Sequence, residues 1–351
     1  VQNYENLYLA TKFALDFSKI MNVGIIGYGY WGKNLVRNFY AQKKATLKVV
    51  LDFDKSKLEN LQKSYPTVEV TTSLEEFLGK VDAVAIATPV FTHYELAKKC
   101  LEAGKHVVVE KPMTSTYAQA QELINLAEKK GLILMCDHTF LYTGAVQKMK
   151  ELVESGTIGN INYIDSTRIN LGLFQPDVNV LWDLAAHDIS ICYYLMNEKP
   201  IAVQAVGISH TNNGIENIAY LTLHFASNKI AHFNCSWSSP VKVRQMLVGG
   251  DKKMIVWNDL EATEKIKVYD TGYELKNEED KTKILVDYRV GDIYVPKLEG
   301  TEALFAMAQD FTEAILQSKK PRATAEIGAL VVQILEASQK SIKNKGEEVI
   351  I

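Results

Sequence analysis

The chain has 351 residues, 47% of them hydrophobic and 23% charged, with a formal net charge of −3. That length exceeds what one hydrophobic core usually supports, so two domains are expected, and the charge gives no basic field for nucleic acid and no acidic tail. Cys100, Cys136, Cys192 and Cys235 sit in apolar segments without CxxC spacing and read as small core residues in a reducing cytoplasm, and no apolar run reaches the roughly eighteen residues that would span a membrane.

Residues 1–20 are expected to be an extension outside the two domains. Tyr4, Glu5, Asp16 and Lys19 break the apolar core that a signal peptide needs, whereas Leu7, Phe13, Ala14 and Phe17 suit an amphipathic helix. From Met21 to residue 140 short apolar runs alternate with helical patterns. Val23–Ile26 is followed by a helix near Tyr30, Leu47–Leu51 by a helix from Lys55, and Val68–Val70 by a helix capped by Ser73 with Glu76. Ala83–Thr88 is followed by a helix from His93, and His106–Val109 by a helix from Thr116 to Lys130 that leads to a sixth strand over Leu132–Cys136. This alternation predicts a doubly wound parallel α/β sheet. Ser73 with Glu76 and Thr116 with Gln119 fit the capping box, in which two orphan amides are satisfied.

Over residues 141–351 the rhythm changes to α+β. A helix is expected near Ala145–Glu154, then strands over Ile161–Arg168, Val203–Ser209, Ala219–Phe225, Lys229–Trp237 and Val243–Val248, then helices over Thr301–Ser318 and Ala325–Lys343. The alternation of Leu221, Leu223 and Phe225 with Thr222 and His224 predicts a large, mainly antiparallel sheet with one face open to a partner or water.

Four motifs carry chemistry. Gly27-Tyr28-Gly29-Tyr30-Trp31-Gly32 follows the first strand, and Asp52 ends the second, twenty positions beyond Gly32. In a dinucleotide pocket the three glycines serve a tight turn, an approach to the pyrophosphate and close helix packing, while the acidic residue accepts hydrogen bonds from the adenosine ribose and disfavours a 2′-phosphate. Thr88-Pro89 ends the fourth strand in a fixed turn before His93. Glu110-Lys111-Pro112 closes the fifth, where Pro112 keeps Lys111 extended and aimed at the cleft beyond the strand ends. Asp183 and His187, four apart in a helical segment, fall on one face, so the carboxylate could orient an imidazole suited to general-base work.

Together with Ala103-Gly104-Lys105-His106-Val107-Val108-Val109, these motifs resemble the glucose–fructose oxidoreductase/inositol dehydrogenase (Gfo/Idh/MocA) family from Met21 almost to the C-terminus. The resemblance implies a Rossmann domain over residues 21–140 and a substrate-binding and oligomerisation domain over residues 141–351, whose last helices could pack back on the first. It implies a tightly held nicotinamide cofactor and homodimers or homotetramers built through the open sheet. The family's catalytic lysine, aspartate and histidine fall on Lys111, Asp183 and His187. Its cofactor contacts fall on Gly27, Gly29, Tyr30, Trp31, Gly32, Asp52, Thr88, Pro89, His93, Glu110 and Lys111.

Two departures concern substrate recognition. Asp137-His138-Thr139-Phe140 stands where many members carry an Asn-Arg-Arg-Phe-like run, and no Gly-Gly pair precedes Asp183. Arg168, Asn170, Asn179 and Trp182 are the candidates to line a polar sugar pocket instead, with Arg168 able to pair a diphosphate or carboxylate. The expectation is an NAD-dependent dehydrogenase for a secondary hydroxyl of a sugar, of the UDP-N-acetylhexosamine 3-dehydrogenase type found in surface-polysaccharide pathways. A free aldose or cyclitol dehydrogenase is the close alternative, and a silent NAD-binding sensor or scaffold the distant one. No HExxH or CxxC spacing points to a zinc hydrolase or to any metal site.

Overall fold

The computed structural model describes residues 20–172, 174–175, 177–274 and 287–351, so the amphipathic helix expected within the first nineteen residues lies outside the described residues. β1 (Met21–Ile26), α1 (Tyr30–Tyr40), β2 (Ala45–Leu51), α2 (Lys55–Ser64), β3 (Glu69–Thr71), α3 (Leu74–Leu78), β4 (Ala83–Ile86), α4 (Val90–Glu102), β5 (His106–Glu110), α5 (Tyr117–Lys130) and β6 (Leu134–Asp137) follow in strict alternation. The six strands pair in parallel in the order β3-β2-β1-β4-β5-β6. Helices cover both faces, which is why β1 and β4 read as continuous apolar runs and why all four residues of β4 are buried. The order reverses between β1 and β4, and a crevice opens there beyond the carboxyl ends of the strands.

Local chemistry moves some boundaries. α4 opens at Val90, with Pro89 as its N-cap, rather than at His93; proline's fixed φ suits the start of a helix, so the turn and the helix are continuous. Each capping box makes only its forward half. Ser73 accepts from the Glu76 amide and Thr116 from the Gln119 amide, both at 3.3 Å. Glu76 turns instead to Thr71 and Lys80, while Gln119 Oε1 is buried without a partner.

After a short 3₁₀ turn (Thr139–Tyr142) come α6 (Gly144–Glu154) and β7 (Ile161–Leu171), then a π-helical turn (Leu181–Ala185) running into α7 (Ala186–Met196). β8 (Ala202–Ile208), β9 (Ile218–His224), β10 (Ile230–Ser236), β11 (Ser238–Gly250), β12 (Met254–Asn258), β13 (Ile266–Tyr269), the small pair β14 (Gly272–Glu274) and β15 (Asp287–Arg289), and β16 (Ile293–Tyr294) follow. α8 (Ala303–Leu316), α9 (Ala325–Lys343) and β17 (Val349–Ile350) complete the chain. The second sheet runs β16-β13-β12-β11-β7-β10-β9-β8-β17 and is antiparallel except where β10 pairs with β7. Its inner face is the core, with Leu221, Leu223, Phe233 and Cys235 buried, while Val206, Ile208, Tyr220 and Ile230 are exposed on the other. The four cysteines are free and buried. α9 packs on both α5 and β8, and α8 packs on α1 through an edge-on contact of Phe39 and Phe311, so the last two helices join the two sheets.

One buried ion pair fastens α7 to the second sheet. Arg168 on β7 donates to both carboxylate oxygens of Asp188, Nε at 2.9 Å and Nη2 at 2.6 Å, with both side chains almost wholly out of water. Removing one partner of such a pair leaves an uncompensated buried charge. We therefore expect Asp188→Ala to cost about 3–5 kcal/mol in chemical denaturation, and the apolar double variant Arg168→Met/Asp188→Leu to recover most of that loss.

Candidate functional site

The turn after β1 needs its glycines. Gly27 has φ +97°, and a Cβ on Gly32 would lie 2.0 Å from the Gly27 carbonyl oxygen. Above Gly29 the space is open, and α1 begins there without a side-chain cap, so its first amides are free to meet an anion. Asp52, just past β2, holds the turn by accepting from the Tyr28 amide at 2.7 Å through Oδ2 and from the Asp54 amide at 2.9 Å through Oδ1. Each oxygen keeps a lone pair for a ribose hydroxyl. A tight glycine turn, an uncapped helix start and a carboxylate at the next strand end fit a dinucleotide.

The turn after β4 is tied internally. Thr88 Oγ1 meets Thr92 Oγ1 at 2.7 Å, and Pro89 caps α4. His93, expected to touch cofactor, is buried instead, with Nε2 2.8 Å from the Thr88 carbonyl and Nδ1 2.9 Å from the Pro112 carbonyl. Burial holds its pKa below the ordinary histidine value. It locks the β4 turn to the loop after β5, where the Lys111–Pro112 peptide is cis.

Beyond the strand ends lies a cavity of about 700 Å³, lined among others by Tyr30, Trp31, Glu110, Lys111, Asp183 and His187. The Lys111 side chain is only 12% exposed, and its ammonium donates to the Asp183 carbonyl at 2.9 Å and lies 3.5 Å from Asp183 Oδ1. The i, i+4 reading of Asp183 and His187 is corrected. The turn at Asp183 is π-helical, and its carboxylate accepts from Trp237 Nε1 at 3.0 Å and faces Lys111, without a hydrogen bond to the imidazole. The His187 ring packs on Phe140 with centroids 4.8 Å apart, and its Nδ1 is buried without a partner. Burial first, and then the nearby Lys111 and Arg168 charges, push its pKa well below the ordinary value, so the ring is neutral at pH 7.

Of the four substrate candidates, Asn170 lines the cavity. Arg168 reaches the cavity wall, but its guanidinium is committed to Asp188 and stacked over Phe140 at 4.6 Å, so it is not a free anion clamp. Asn179 is buried and structural, capping the Leu181 and Trp182 amides at 3.1 and 3.3 Å and donating to Glu216. Trp182 is buried and absent from the cavity lining.

Other residues take their place. Arg244, the cross-strand partner of Arg168, lines the cavity with a buried, unpartnered Nε and lies 3.6 Å from Asp259. Asp259, Thr143 and Ala303 also border a second cavity of about 610 Å³ that contains Lys265 and Lys297. Asp137, Thr139 and Phe140 form part of the first cavity's wall. Neighbouring His138 is fully buried with neither nitrogen partnered, and burial helped by Lys111 pushes its pKa down to about 3. The position of the 137–140 run after β6 was a usable signal for these residues. Arg244 had none, because its neighbour is set by strand register. Among the described residues no cluster suits a metal ion, and no helix is long and apolar enough to cross a membrane.

Residues 21–138 match the description "Oxidoreductase family, NAD-binding Rossmann fold", and residues 146–256 match "GFO/IDH/MocA C-terminal domain". The scyllo-inositol 2-dehydrogenase (NADP(+)) of Bacillus subtilis is 26% identical over 354 residues, 93% of this chain and 94% of the relative. The UDP-N-acetylglucosamine 3-dehydrogenase of Acidithiobacillus ferrooxidans is 30% identical over 214 residues, 58% of this chain and 64% of the relative. A crystal form of that enzyme superposes with a TM-score of 0.79 at 23% identity, over 92% of this chain and 98% of the other, which shows a shared fold. An equal TM-score of 0.79 at 22% identity, over 95% of this chain and 97% of the other, links it to GenD2 from gentamicin A biosynthesis in complex with NAD. With a nicotinamide-dinucleotide turn at one end of the cleft and Lys111, Asp183 and His187 around its cavity, the chain is a member of the Gfo/Idh/MocA oxidoreductase family, whose members act on sugars and cyclitols.

Proposed function

We propose that the chain is an NAD-dependent dehydrogenase for a secondary hydroxyl of a nucleotide-linked sugar, of the UDP-N-acetylhexosamine 3-dehydrogenase type. The observation that carries this reading is a pair of neighbouring cavities that share Thr143, Asp259 and Ala303 in their linings: one is also lined by Lys111 and His187, the other by Lys265 and Lys297. A free cyclitol needs only a fraction of either; a sugar bearing a diphosphate and a nucleoside is long enough to occupy both. The 30% identity to UDP-N-acetylglucosamine 3-dehydrogenase supports the same reading. A free cyclitol or aldose is the second reading, favoured by the nearly full-length match to scyllo-inositol 2-dehydrogenase.

Gly27, Gly29, Gly32, Tyr30 and Trp31 would hold the pyrophosphate end of the cofactor, Asp52 its adenosine ribose, and Thr88, Pro89, Glu110 and Lys111 the nicotinamide end. Asp52 favours NAD, because its carboxylate repels a 2′-phosphate. When bound, the nicotinamide supplies the hydride acceptor. Lys111 donates a hydrogen bond to the reacting oxygen and stabilises its developing negative charge, held on course by Asp183. His187, neutral and presenting Nε2 to the cavity because Nδ1 is buried, accepts the hydroxyl proton. Arg244 lines the first cavity beside Asp259, which borders both, as the cation available to a substrate phosphate. The exposed Val206, Ile208, Tyr220 and Ile230 support a homodimer or homotetramer through the open sheet face. Free buried thiols suit a cytoplasmic protein, and a role in polysaccharide assembly follows from the substrate class.

Purified protein is to be tested for NADH formation with UDP-N-acetylhexosamines against free inositols and aldoses. Turnover of nucleotide sugars alone is expected, and turnover of free cyclitols alone would overturn the nucleotide reading. His187→Ala and Lys111→Ala should each lower kcat/KM by about 10²–10⁴. Arg244→Ala should raise KM for the nucleotide sugar by about ten- to a hundredfold with a smaller effect on kcat. Gly32→Ala puts a methyl against the Gly27 carbonyl, an overpacking cost of about 1–3 kcal/mol, and should weaken NADH binding in a fluorescence titration while the circular dichroism spectrum is kept.

A further inference from the structure

Glu110 and Asp137 end neighbouring parallel strands in direct register, both are buried, and both line the cavity beside Lys111. Asp137 Oδ1 accepts from the Thr139 hydroxyl at 2.7 Å, and Glu110 Oε2 accepts from the Lys111 amide at 3.2 Å. Asp137 Oδ2 is buried and meets no N–H or O–H donor, and the Glu110 carboxyl stands beside it on the neighbouring strand. Two buried carboxyl groups side by side cannot both stay ionised, and a proton on Glu110 supplies the donor that Asp137 Oδ2 otherwise lacks. Resting on the reading that the reaction takes place around Lys111, we propose that Glu110 and Asp137 hold one proton in common, presenting a single negative charge and a fixed hydrogen bond to the cavity, and that Asp137 is thereby a positioning residue for Lys111.

The surroundings agree. Lys111 from the loop after β5 is the cation beside the pair, with Asp183 of the π-helical turn and His187 of α7 across the same cavity. His138 and Cys136 flank Asp137, His93 of α4 is bound to backbone carbonyls, and Gly328 of α9 packs on Cys136. Burial is the largest cause raising both carboxyl pKa values, and the Lys111 charge opposes it only in part. A carboxyl pair and a carboxylate–amide pair carry the same charge and a similar hydrogen bond, so Asp137→Asn fixes the singly protonated arrangement and removes its titration. Glu110→Gln does the same from the other strand.

Infrared difference spectroscopy on the cofactor-free protein tests the pair without any reaction. Near neutral pH the wild type should show the carbonyl stretch of a buried protonated carboxylic acid, shifted by deuterium exchange, and either amide variant should lose it. Because folding raises the pair's proton affinity, the stability it contributes is greatest at low pH and is lost as pH rises through the folded pKa values. The wild-type Tm should therefore fall relative to Asp137→Asn as pH rises. Loss of the shared proton should lower wild-type kcat/KM by about tenfold per pH unit on the alkaline side, and Asp137→Asn should flatten that limb. Absence of the acid band from the wild type, or its persistence in whichever amide variant folds, overturns the shared proton. A band that behaves as expected beside an alkaline limb unmoved by the variants leaves the proton in place and overturns the positioning role. Absence of dehydrogenase turnover with every sugar, with the band present, counts instead against the reading of the reaction site.

Discussion

The contact between Lys111 and Asp183 is the constraint on which the site depends. One partner ends a strand of the parallel sheet, and the other lies on a helical turn above the mixed sheet, 72 residues later. The Lys111 ammonium bonds the Asp183 backbone carbonyl more closely than the side chain, at 2.9 against 3.5 Å, so the position of the turn itself sets the lysine's reach. That turn is held in its own right by Asn179, which caps its first amides, and by Trp237, whose indole N–H fixes the Asp183 carboxylate. A half-buried pair of this kind adds little net stability, since desolvation offsets most of the attraction. Its value is geometric: an ammonium with spare donors is kept at the mouth of the cofactor crevice.

Burial then sorts the remaining charges. Arg168 is neutralised by a bidentate carboxylate, while Arg244, directly across the strand pair, keeps an unpartnered Nε and only a long contact to Asp259. The imidazoles of His138 and His187 are held neutral by desolvation and by the cations near them. A neutral imidazole among cations is a weak base in the resting protein. In the proposed reaction it becomes effective when a bound alcohol places its proton within reach and Lys111 takes up the developing charge, because the cost of imidazolium is then offset at the neighbouring oxygen.

The parallel sheet was legible in the sequence because each of its signals is local. Apolar runs mark strands covered on both faces, and the three glycines answer a steric demand that any Cβ would violate at Gly32. Lys111 could be placed because Pro112 follows it at a strand end. The acid and imidazole were correctly brought to one cavity, but their pairing was not legible: a π-helical turn between them breaks the 3.6-residue period on which the i, i+4 argument rests. Asn179 and Trp182 were misread for another reason, which also explains why Arg168 lines the cavity without being a free anion clamp. Whether a polar side chain faces a cavity or satisfies a neighbour depends on contacts such as Asp188 and Glu216, which lie 20 and 37 residues away in sequence.

The same dependence on register explains how substrate recognition can differ among chains that share this fold. β7 and β11 pair so that Arg168 and Arg244 lie opposite each other, and one carboxylate on α7 is sufficient to remove the first from ligand binding. The second keeps an unpartnered Nε in the wall of the first cavity. Moving the carboxylate from position 188 to a place within reach of Arg244 would reverse which arginine is free, and with it where along the cleft an anion is held, without altering either sheet. Under the proposed function, recognition is then set by which of two adjacent cations is left without a full counter-ion, a choice made by the helix packed against the strands rather than by the strands themselves.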